Sequence, residues 1–131
     1  MIEALFDSNN YQASKKLMDV TVLRQEALAA NLANAETPGY RRVDVSRDFE
    51  AAFQDALKGG DTSKMKQMKA VIDVDRQAPM NDATGNTVDI EKEMVHLSEN
   101  QIQHQLETRM ITGRLARLKM AIKGTVWSPK P

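Results

Sequence analysis

Several residue types that carry chemistry or build particular folds are absent or scarce in this 131-residue chain. It has no cysteine, one tryptophan, two tyrosines and three phenylalanines. The lack of cysteine excludes disulfide frameworks, thiolate nucleophiles and cysteine-based zinc sites. Because aromatics make up only 5% of the chain, a β-sandwich is disfavoured, whereas eight methionines together with alanine and leucine suit interfaces between helices.

Two further absences concern membranes and charge. No apolar run is long enough to span a bilayer, and the start of the chain has neither a basic n-region nor an apolar h-region. The formal net charge is zero, so no overall field would attract nucleic acid or anionic lipid. We therefore expect no direct membrane span and no nucleic-acid partner.

Motifs that carry catalysis are missing as well. The sequence contains no glycine-rich phosphate loop, no Gly-x-Ser-x-Gly elbow and no carboxylate pair in a strongly apolar setting. It therefore predicts no catalytic residue, no cofactor and no enzymatic activity.

What is present is a helical pattern at both ends of the chain. A cluster of capping residues precedes the first long helix, predicted within residues 7–36 with its regular part from about Tyr11. The second long helix is predicted over residues 88–123, with Gly124 at its C-cap position. The region 37–87 between them predicts a turn, a short helix capped by Ser46 and ending near Leu57, and a loop with a brief strand near residues 70–74.

Both long helices carry an apolar stripe that needs a partner. We therefore predict a mainly α fold of one domain, residues 1–131, in which the two long helices pair as a coiled coil. The middle region is loop-rich and a candidate for disorder, since it shows no sustained hydrophobic period over residues 59–87. The predicted seam between the helices consists of Leu17, Leu28, Leu32, Val95, Ile102, Leu106, Ile111, Leu115, Leu118 and Ile122.

The stretch from Asn31 to Tyr40 ends the first helix and redirects the chain. Pro38 biases Thr37 away from the helical region, and Gly39 supplies the positive φ that a type II Pro-Gly turn requires. Asn31 and Asn34 are one helical turn apart, so their amides share a face on which they can bond to turn backbone or to a neighbouring chain.

As a string, residues 29–41 (AANLANAETPGYR) resemble the signature of the flagellar rod, hook and hook-associated axial proteins. The runs that begin at Ala13 (ASKKLMDVTVLRQEA) and Val88 (VDIEKEM) are similar to the proximal rod proteins of the basal body. The resemblance implies an inner coiled-coil domain that stacks helically. The residues that it assigns to the joint and to assembly are Asn31, Leu32, Asn34, Thr37, Pro38, Gly39 and Tyr40.

The same resemblance implies a function. It predicts a structural subunit of the basal-body rod, the drive shaft that transmits torque from the motor to the hook and is required for motility. The implied partners are further copies of the chain, other rod proteins, the adaptor between the MS ring and the rod, and the flagellar type III export apparatus. Export would proceed without a cleaved signal peptide, to a rod that crosses the periplasm.

Other interpretations of single motifs remain open. One is a soluble helical adaptor that binds partner helices. Another is a metal-dependent bundle enzyme, because acids and histidines lie three residues apart; ordinary contacts on an exposed helix face explain that spacing equally well. A third is calcium binding by residues 82–93, which have the length of an EF-hand loop but place Gly85 fourth instead of sixth. The candidate metal ligands of the bundle enzyme are Glu93, His96, His104 and Glu107.

Charge is segregated along the last third of the chain. Residues 73–107 hold eight acids and two bases, whereas residues 109–130 hold six bases and no acid. The helix dipole favours such an order, although its effect fades beyond the terminal turns. Staggered stacking of subunits would explain the pattern equally well, since the acidic stretch of one copy would meet the basic stretch of the next. On that hypothesis, reversing Arg114 and Arg117 to Glu weakens assembly.

Overall fold

A computed structural model describes residues 8–124, which contain four helices and one small sheet. In chain order the elements are helix α1 (Asn9–Ala33), strand β1 (Val43–Val45), helix α2 (Arg47–Gly59), helix α3 (Thr62–Gln67), strand β2 (Ile72–Val74) and helix α4 (Ile90–Lys123). The predicted mainly helical fold with long helices at both ends is confirmed. Residue 7, where the first helix was predicted to begin, lies outside the described residues.

Capping side chains set the two ends of α1. Ser8 is the N-cap, and its hydroxyl accepts a hydrogen bond from the Tyr11 N–H at 3.3 Å. At the other end the Asn34 side chain donates to the Ala30 carbonyl at 2.8 Å, and the Asn34 N–H donates to the same carbonyl at 3.2 Å. The helix therefore ends at Ala33, three residues earlier than predicted, because Asn34 leaves the helical conformation.

An apolar core lies between α1 and the elements that follow it. Phe49 and Phe53 of α2 stack with ring centroids 5.8 Å apart, and both side chains are buried. Val20 of α1, Val45 of β1 and Met65 of α3 complete the same cluster. The Ser46 cap position is as predicted, and Gly60 ends α2 at a φ of +63° that favours glycine.

The middle region is more ordered than its composition predicts. β1 and β2 pair antiparallel with Val43 opposite Val74, and β2 lies within the predicted strand. The loop prediction is wrong for α3, where the Asp61 side chain caps the helix by accepting from the Lys64 N–H at 2.9 Å. A six-residue helix is too short to show a hydrophobic period, and burial of Met65 holds it in place.

α4 packs antiparallel against α1, but through a different face from the predicted one. Glu93, Asn100 and Glu107, at seven-residue spacing, are buried on the side toward α1. Of the predicted seam, Leu28 is buried and Leu17, Leu32, Ile111 and Leu118 are partly buried. The remaining five residues are exposed: Val95 (56%), Ile102 (68%), Leu106 (56%), Leu115 (44%) and Ile122 (65%).

The correction has a physical reason. Hydrophobic periodicity identifies the more apolar face of a helix, but it does not say which neighbour covers that face. In this chain the polar face of α4 finds hydrogen-bonding and ion-pair partners on α1 and in the joint that follows it. The apolar face is left outside.

Candidate functional site

The sharp turn after α1 is built by Pro38 and Gly39. Gly39 has a φ of +74°, and the Tyr40 N–H donates to the Thr37 carbonyl at 3.2 Å. This is the hydrogen bond that closes a β-turn, and the positive φ at its third position makes it type II. The predicted turn is therefore confirmed. Its tip is exposed, since Thr37, Pro38 and Gly39 all face solvent.

Asn31 connects this turn to the strand and helix that follow. Its side-chain amide donates to the Val43 carbonyl at 2.8 Å and to Glu93 Oε2 at 2.9 Å. Its Oδ1 accepts from the Val43 N–H at 2.9 Å and from the Tyr40 hydroxyl at 3.4 Å. The side chain is fully buried, and its bond to Glu93 is shielded from water at both ends. Asn31 thereby fixes α1, β1 and α4 relative to one another.

Asn86 secures the turn from the other side. Its amide nitrogen lies 3.0 Å from the carbonyl oxygens of Asn34 and Ala35 and 2.8 Å from that of Thr37. Its Oδ1 accepts from the Val88 N–H at 2.8 Å. One buried side chain thus satisfies carbonyls at the end of α1 that no helical N–H can reach. It also connects them to the segment that leads into α4.

Thr87 continues this connection. Its N–H donates to the Tyr40 carbonyl at 3.1 Å, and its hydroxyl accepts from the Arg42 N–H at 2.8 Å. The residues on either side of the turn are therefore tied to the segment before α4 by both main-chain and side-chain hydrogen bonds.

A cluster of ion pairs lies beneath the turn. The Arg42 guanidinium donates to Glu93, to Asp75 at 3.0 Å and to Asp44 at 3.0 Å. Glu93 is only 1% exposed and Arg42 is buried, so the pair is shielded from solvent. Arg24 of α1 extends the cluster through Asp44 at 3.0 Å and through Glu50 of α2. Charges from α1, β1, α2 and α4 meet in this cluster.

The electrostatics favour the ionised forms of the cluster. Burial opposes ionisation of Asp44, but hydrogen bonding and attraction from Arg24, with a further contribution from Arg42, outweigh it and lower the pKa of that carboxyl. Burial likewise opposes the charge of Arg42, yet Glu93 and Asp44 raise its pKa overall. Burial and the charge of Glu93 together raise the pKa of the Tyr40 hydroxyl, which stays protonated and able to donate.

The turn, Asn31 and the surrounding ion pairs form a single unit, which we call the joint: residues 31–45 with Asp75, Asn86, Thr87 and Glu93. Of the seven joint residues predicted from the sequence, Asn31, Asn34 and Tyr40 bond within it, whereas Leu32 is partly buried and Pro38 is exposed. Sequence reasoning missed Arg42, Asp75, Asn86 and Thr87. The available signal was weak, because a cluster of turn residues before α4 does not reveal which partner they contact.

The rest of the α1–α4 interface is also polar. His104 Nδ1 lies 2.9 Å from the Thr21 hydroxyl, which donates its own hydrogen to the Met18 carbonyl at 2.8 Å. The hydroxyl must then accept from His104, so Nδ1 carries a proton. Asn100 donates to the Thr21 carbonyl at 2.8 Å. Asn100 Oδ1 and Glu107 Oε2 are buried with no hydrogen-bond partner among residues 8–124.

The candidate metal ligands are not brought together. Glu93 pairs with Arg42, His104 contacts Thr21, and His96 lies on the exposed face, 3.4 Å from Glu99. In the EF-hand-like stretch, Asp82 bonds to the Thr84 N–H at 2.9 Å as part of a turn. Within residues 8–124 no three acidic, histidine or cysteine side chains form a metal-binding group. Nor does any helix of that range have the length and apolarity to cross a membrane.

Comparison with known proteins identifies a family for the chain. The family described as "Flagella basal body rod protein" matches residues 22–41, which span the second half of α1 and the turn of the joint. The chain is 30% identical over 113 residues to the flagellar basal body rod protein FlgB of Bacillus subtilis, covering 78% of this chain and 84% of that protein.

Relatives from distant bacteria match over similar lengths. FlgB of Escherichia coli is 27% identical over 117 residues, covering 77% of this chain and 83% of the relative. FlgB of Borreliella burgdorferi is 28% identical over 126 residues, covering 84% and 93%. These matches cover more than three quarters of the chain, and the chain belongs to the family of the flagellar basal body rod protein FlgB.

Proposed function

We propose that this chain assembles helically with other rod proteins and forms the proximal part of the drive shaft that transmits torque from the motor to the hook. Members of its family are structural subunits of the flagellar basal body rod and not enzymes. The observation that carries the proposal is the joint, where the family-matched segment ends in a unit of buried and mutually bonded polar side chains.

Torque transmission requires subunits in which the joint between the long helices does not deform. A joint fixed by one or two bonds would bend, whereas Asn31 and Arg42 each bridge three separate parts of the chain and Asn86 bridges two. Close-packed and fully bonded interiors deform little, so the angle between α1 and α4 would be preserved under load. Heterologous contacts that do not close into a ring would then generate an open helical rod.

We further propose that α1 and α4 form an antiparallel coiled coil within one inner domain that comprises residues 1–131. Seven-residue spacing supports this pairing on both helices: Ser14, Thr21 and Leu28 are buried on α1, as are Glu93, Asn100 and Glu107 on α4. An interface of this composition is weaker than an apolar one, so neighbouring subunits would complete its stability. The region 59–87 would gain part of its order in the same way, which slower hydrogen exchange in basal bodies than in monomer would reveal.

The remaining partners follow from the family resemblance. We propose contacts with other rod proteins and with the adaptor between the MS ring and the rod, after passage through the flagellar export apparatus without cleavage. The mass of the chain recovered from purified basal bodies tests the last point. It should equal the full sequence, allowing for loss of the initiator methionine, and a chain shortened by a signal peptide would contradict it.

The principal test is deletion of the gene in its own host, with swimming assayed and basal bodies imaged by electron microscopy. We expect rings without rod or hook, and no swimming. The intact gene should restore both, a copy lacking residues 31–40 should restore neither, and a Gln54→Ala copy should behave as the intact gene because Gln54 is exposed and lies outside the joint. Complete rods and normal swimming in the deletion strain would overturn the proposal.

A further inference from the structure

The outer face of α4 carries apolar side chains that are more than half exposed within residues 8–124. Val95 and Ile102 each lie two residues after a buried position of the α1-facing side, Glu93 and Asn100. Two residues correspond to 200° of helix rotation, so this face points directly away from α1. Val95, Ile102 and Leu106 are all more than half exposed, and such a cluster is typical of a protein interface.

The side chains on the same face differ in size and polarity in the second half of the helix. Seven-residue steps from Ile102 lead to Arg109, Ala116 and Lys123, and Gly113 lies alongside with nothing within 4 Å of the position a Cβ would take. The first half is therefore bulky and apolar, whereas the second half offers small residues between long basic side chains. The two halves are complementary in shape.

Charge follows the same division. Glu91 and Glu99 flank the apolar residues of the first half and are exposed. Lys92, the base in that half, pairs with Asp89 at 3.3 Å. In the second half Arg109 is exposed, and within residues 8–124 no carboxylate lies within ion-pair distance of it. Each half thus carries a charge that the other would neutralise.

We propose that the first half of the outer face of α4 binds the second half of the same face on a second copy of this chain, with the helices parallel and offset by two heptads. The offset corresponds to about 21 Å along the axis at a rise of about 1.5 Å per residue. It places Ile102 opposite Ala116 and Leu106 opposite Met120, with Glu99 beside the open backbone of Gly113. This inference rests on the proposed function and names the surface and the partner used in assembly.

The contact is heterologous, because each copy uses one half of the face for the copy before it and the other half for the copy after it. Such contacts do not close, so they build a chain of subunits with one polarity. Each half-face is small, and an isolated pair would dissociate readily in dilute solution. The contact also changes which base the charge hypothesis from the sequence should name. Arg114 is partly buried in a groove beside Tyr11 and does not lie on this face, whereas Arg109 does.

The absence of cysteine makes the proposal directly testable. The double variant Ile102→Cys/Ala116→Cys replaces two exposed residues of one helix that are too far apart to form a disulfide within a chain. Mild oxidation of concentrated protein should give a ladder of disulfide-linked oligomers on a non-reducing gel. Ile102→Cys alone should yield no species larger than a dimer. The matched control Gln101→Cys/Leu115→Cys has the same spacing on another face and should give at least about tenfold less product.

Charge reversal provides the second measurement. Arg109→Glu in an Ala116→Cys copy should lower its cross-linking to an Ile102→Cys copy by about tenfold. Glu91→Lys/Glu99→Lys in the Ile102→Cys copy should restore the yield. Circular dichroism of each variant checks that helicity is retained. A ladder no stronger than the control, or a reversal without rescue, would overturn the proposed surface.

The same double-cysteine variant in the deletion strain separates this inference from the proposed function. Restored swimming and complete rods, together with cross-links in isolated basal bodies whose mass contains only this chain, would support both. Restored rods with no cross-link between copies, or with a cross-link to a different protein, would overturn the second-copy contact and leave the rod function standing. Complete rods in the uncomplemented deletion strain would instead overturn the function.

Discussion

The two sides of α1 differ in how they are held, although one helix provides both. Toward α2 and α3 it packs through an apolar cluster in which Phe49, Phe53 and Met65 are buried. Toward α4 it packs through Thr21, Asn31 and the acids and amides that face them. The apolar side gains free energy from removing surface from water, whereas the polar side gains little net energy but demands a specific geometry.

This difference indicates that the two sides of α1 have different structural roles. The apolar side can hold a single chain together, as a small core must. The polar side fixes register and angle, since an unpaired buried amide or carboxylate is costly and only one alignment pairs nearly all of them. We expect substitutions on the two sides to differ accordingly, and the following predictions run from the largest effect to the smallest.

Removing an aromatic ring from the apolar side should have the largest effect on stability. Phe53→Ala should lower the free energy of unfolding by about 4 kcal/mol, because it leaves a cavity between α1 and α2. Urea unfolding followed by circular dichroism measures it. Gln54→Ala, at the exposed neighbouring position, should change stability by less than about 0.5 kcal/mol. Equal effects of the two variants would mean that the cluster is not the core.

Removing the cation of the joint should come next. Arg42→Met should cost about 3 kcal/mol, because Glu93 is left as a buried carboxylate without a cation. The double variant Arg42→Met/Glu93→Met should recover part of this loss, since no unpaired charge remains. Denaturant unfolding measures both. Arg41→Met is the control at an exposed position, and a single Arg42 variant as stable as this control would contradict the network.

Truncating the central amide of the joint should have a smaller effect. Asn31→Ala should cost about 2 kcal/mol, since the N–H and carbonyl of Val43 lose their buried partners. The thermal midpoint should fall, whereas Asn81→Ala in the exposed loop should leave it nearly unchanged. Hydrogen exchange should also accelerate at the Val43 N–H before it does in α2. Uniform acceleration across the chain would argue that Asn31 does not act locally.

The smallest expected effect is a gain in stability. Burial raises the pKa of Glu107, with Arg114 opposing the shift, so the folded state favours the protonated acid. The stability that this group contributes is present below its unfolded pKa and is lost as pH rises through the folded one. Glu107→Gln should therefore be more stable than the parent by about 1 kcal/mol at pH 7, because the parent buries a carboxylate oxygen that is ionised and without a partner, whereas the amide is neutral.

The contribution of Asp44 to stability depends on pH in the opposite direction and serves as an internal comparison. Its folded pKa is lowered, so its contribution is present above the unfolded pKa of about 3.9 and is lost as pH falls through the folded value. Unfolding curves between pH 3 and 8 should show the advantage of Glu107→Gln disappearing below about pH 4. In Asp44→Asn, the deficit relative to the parent should begin to shrink there and should close only as pH falls through the lowered pKa of Asp44. Parallel pH profiles for all three proteins would contradict both assignments.

Much of the fold could be read from local signals in the sequence. Pro38 and Gly39 specify a turn by sterics alone, and Ser46 marks the start of α2. The predicted second helix over 88–123 differs by two residues at its start from the observed Ile90–Lys123. The helix α3 could not be predicted, because its formation depends on burying Met65 against residues distant in sequence.

The joint was only partly predictable. Its centre, Asn31 to Tyr40, is recognisable as a string, and its turn follows from two residue types. Its partners Arg42, Asp75 and Asn86 are polar residues of ordinary appearance in connecting segments. Nothing in their local spacing predicts which charge or carbonyl each will meet, because those contacts join residues more than thirty positions apart.

The sequence by itself determined the helical class, the approximate extent of the long helices, the turn and the family, since each depends on the local backbone preferences of a few residues or on the similarity of the string. Only the tertiary structure decided which face of α4 turns inward. Burial follows the sum of all contacts, and on α4 the ion pair of Glu93 with Arg42 and the hydrogen bonds of Asn100 and His104 occupy the side toward α1. The apolar stripe of α4 was predicted correctly from its periodicity, but most of it lies on the exposed side of the helix.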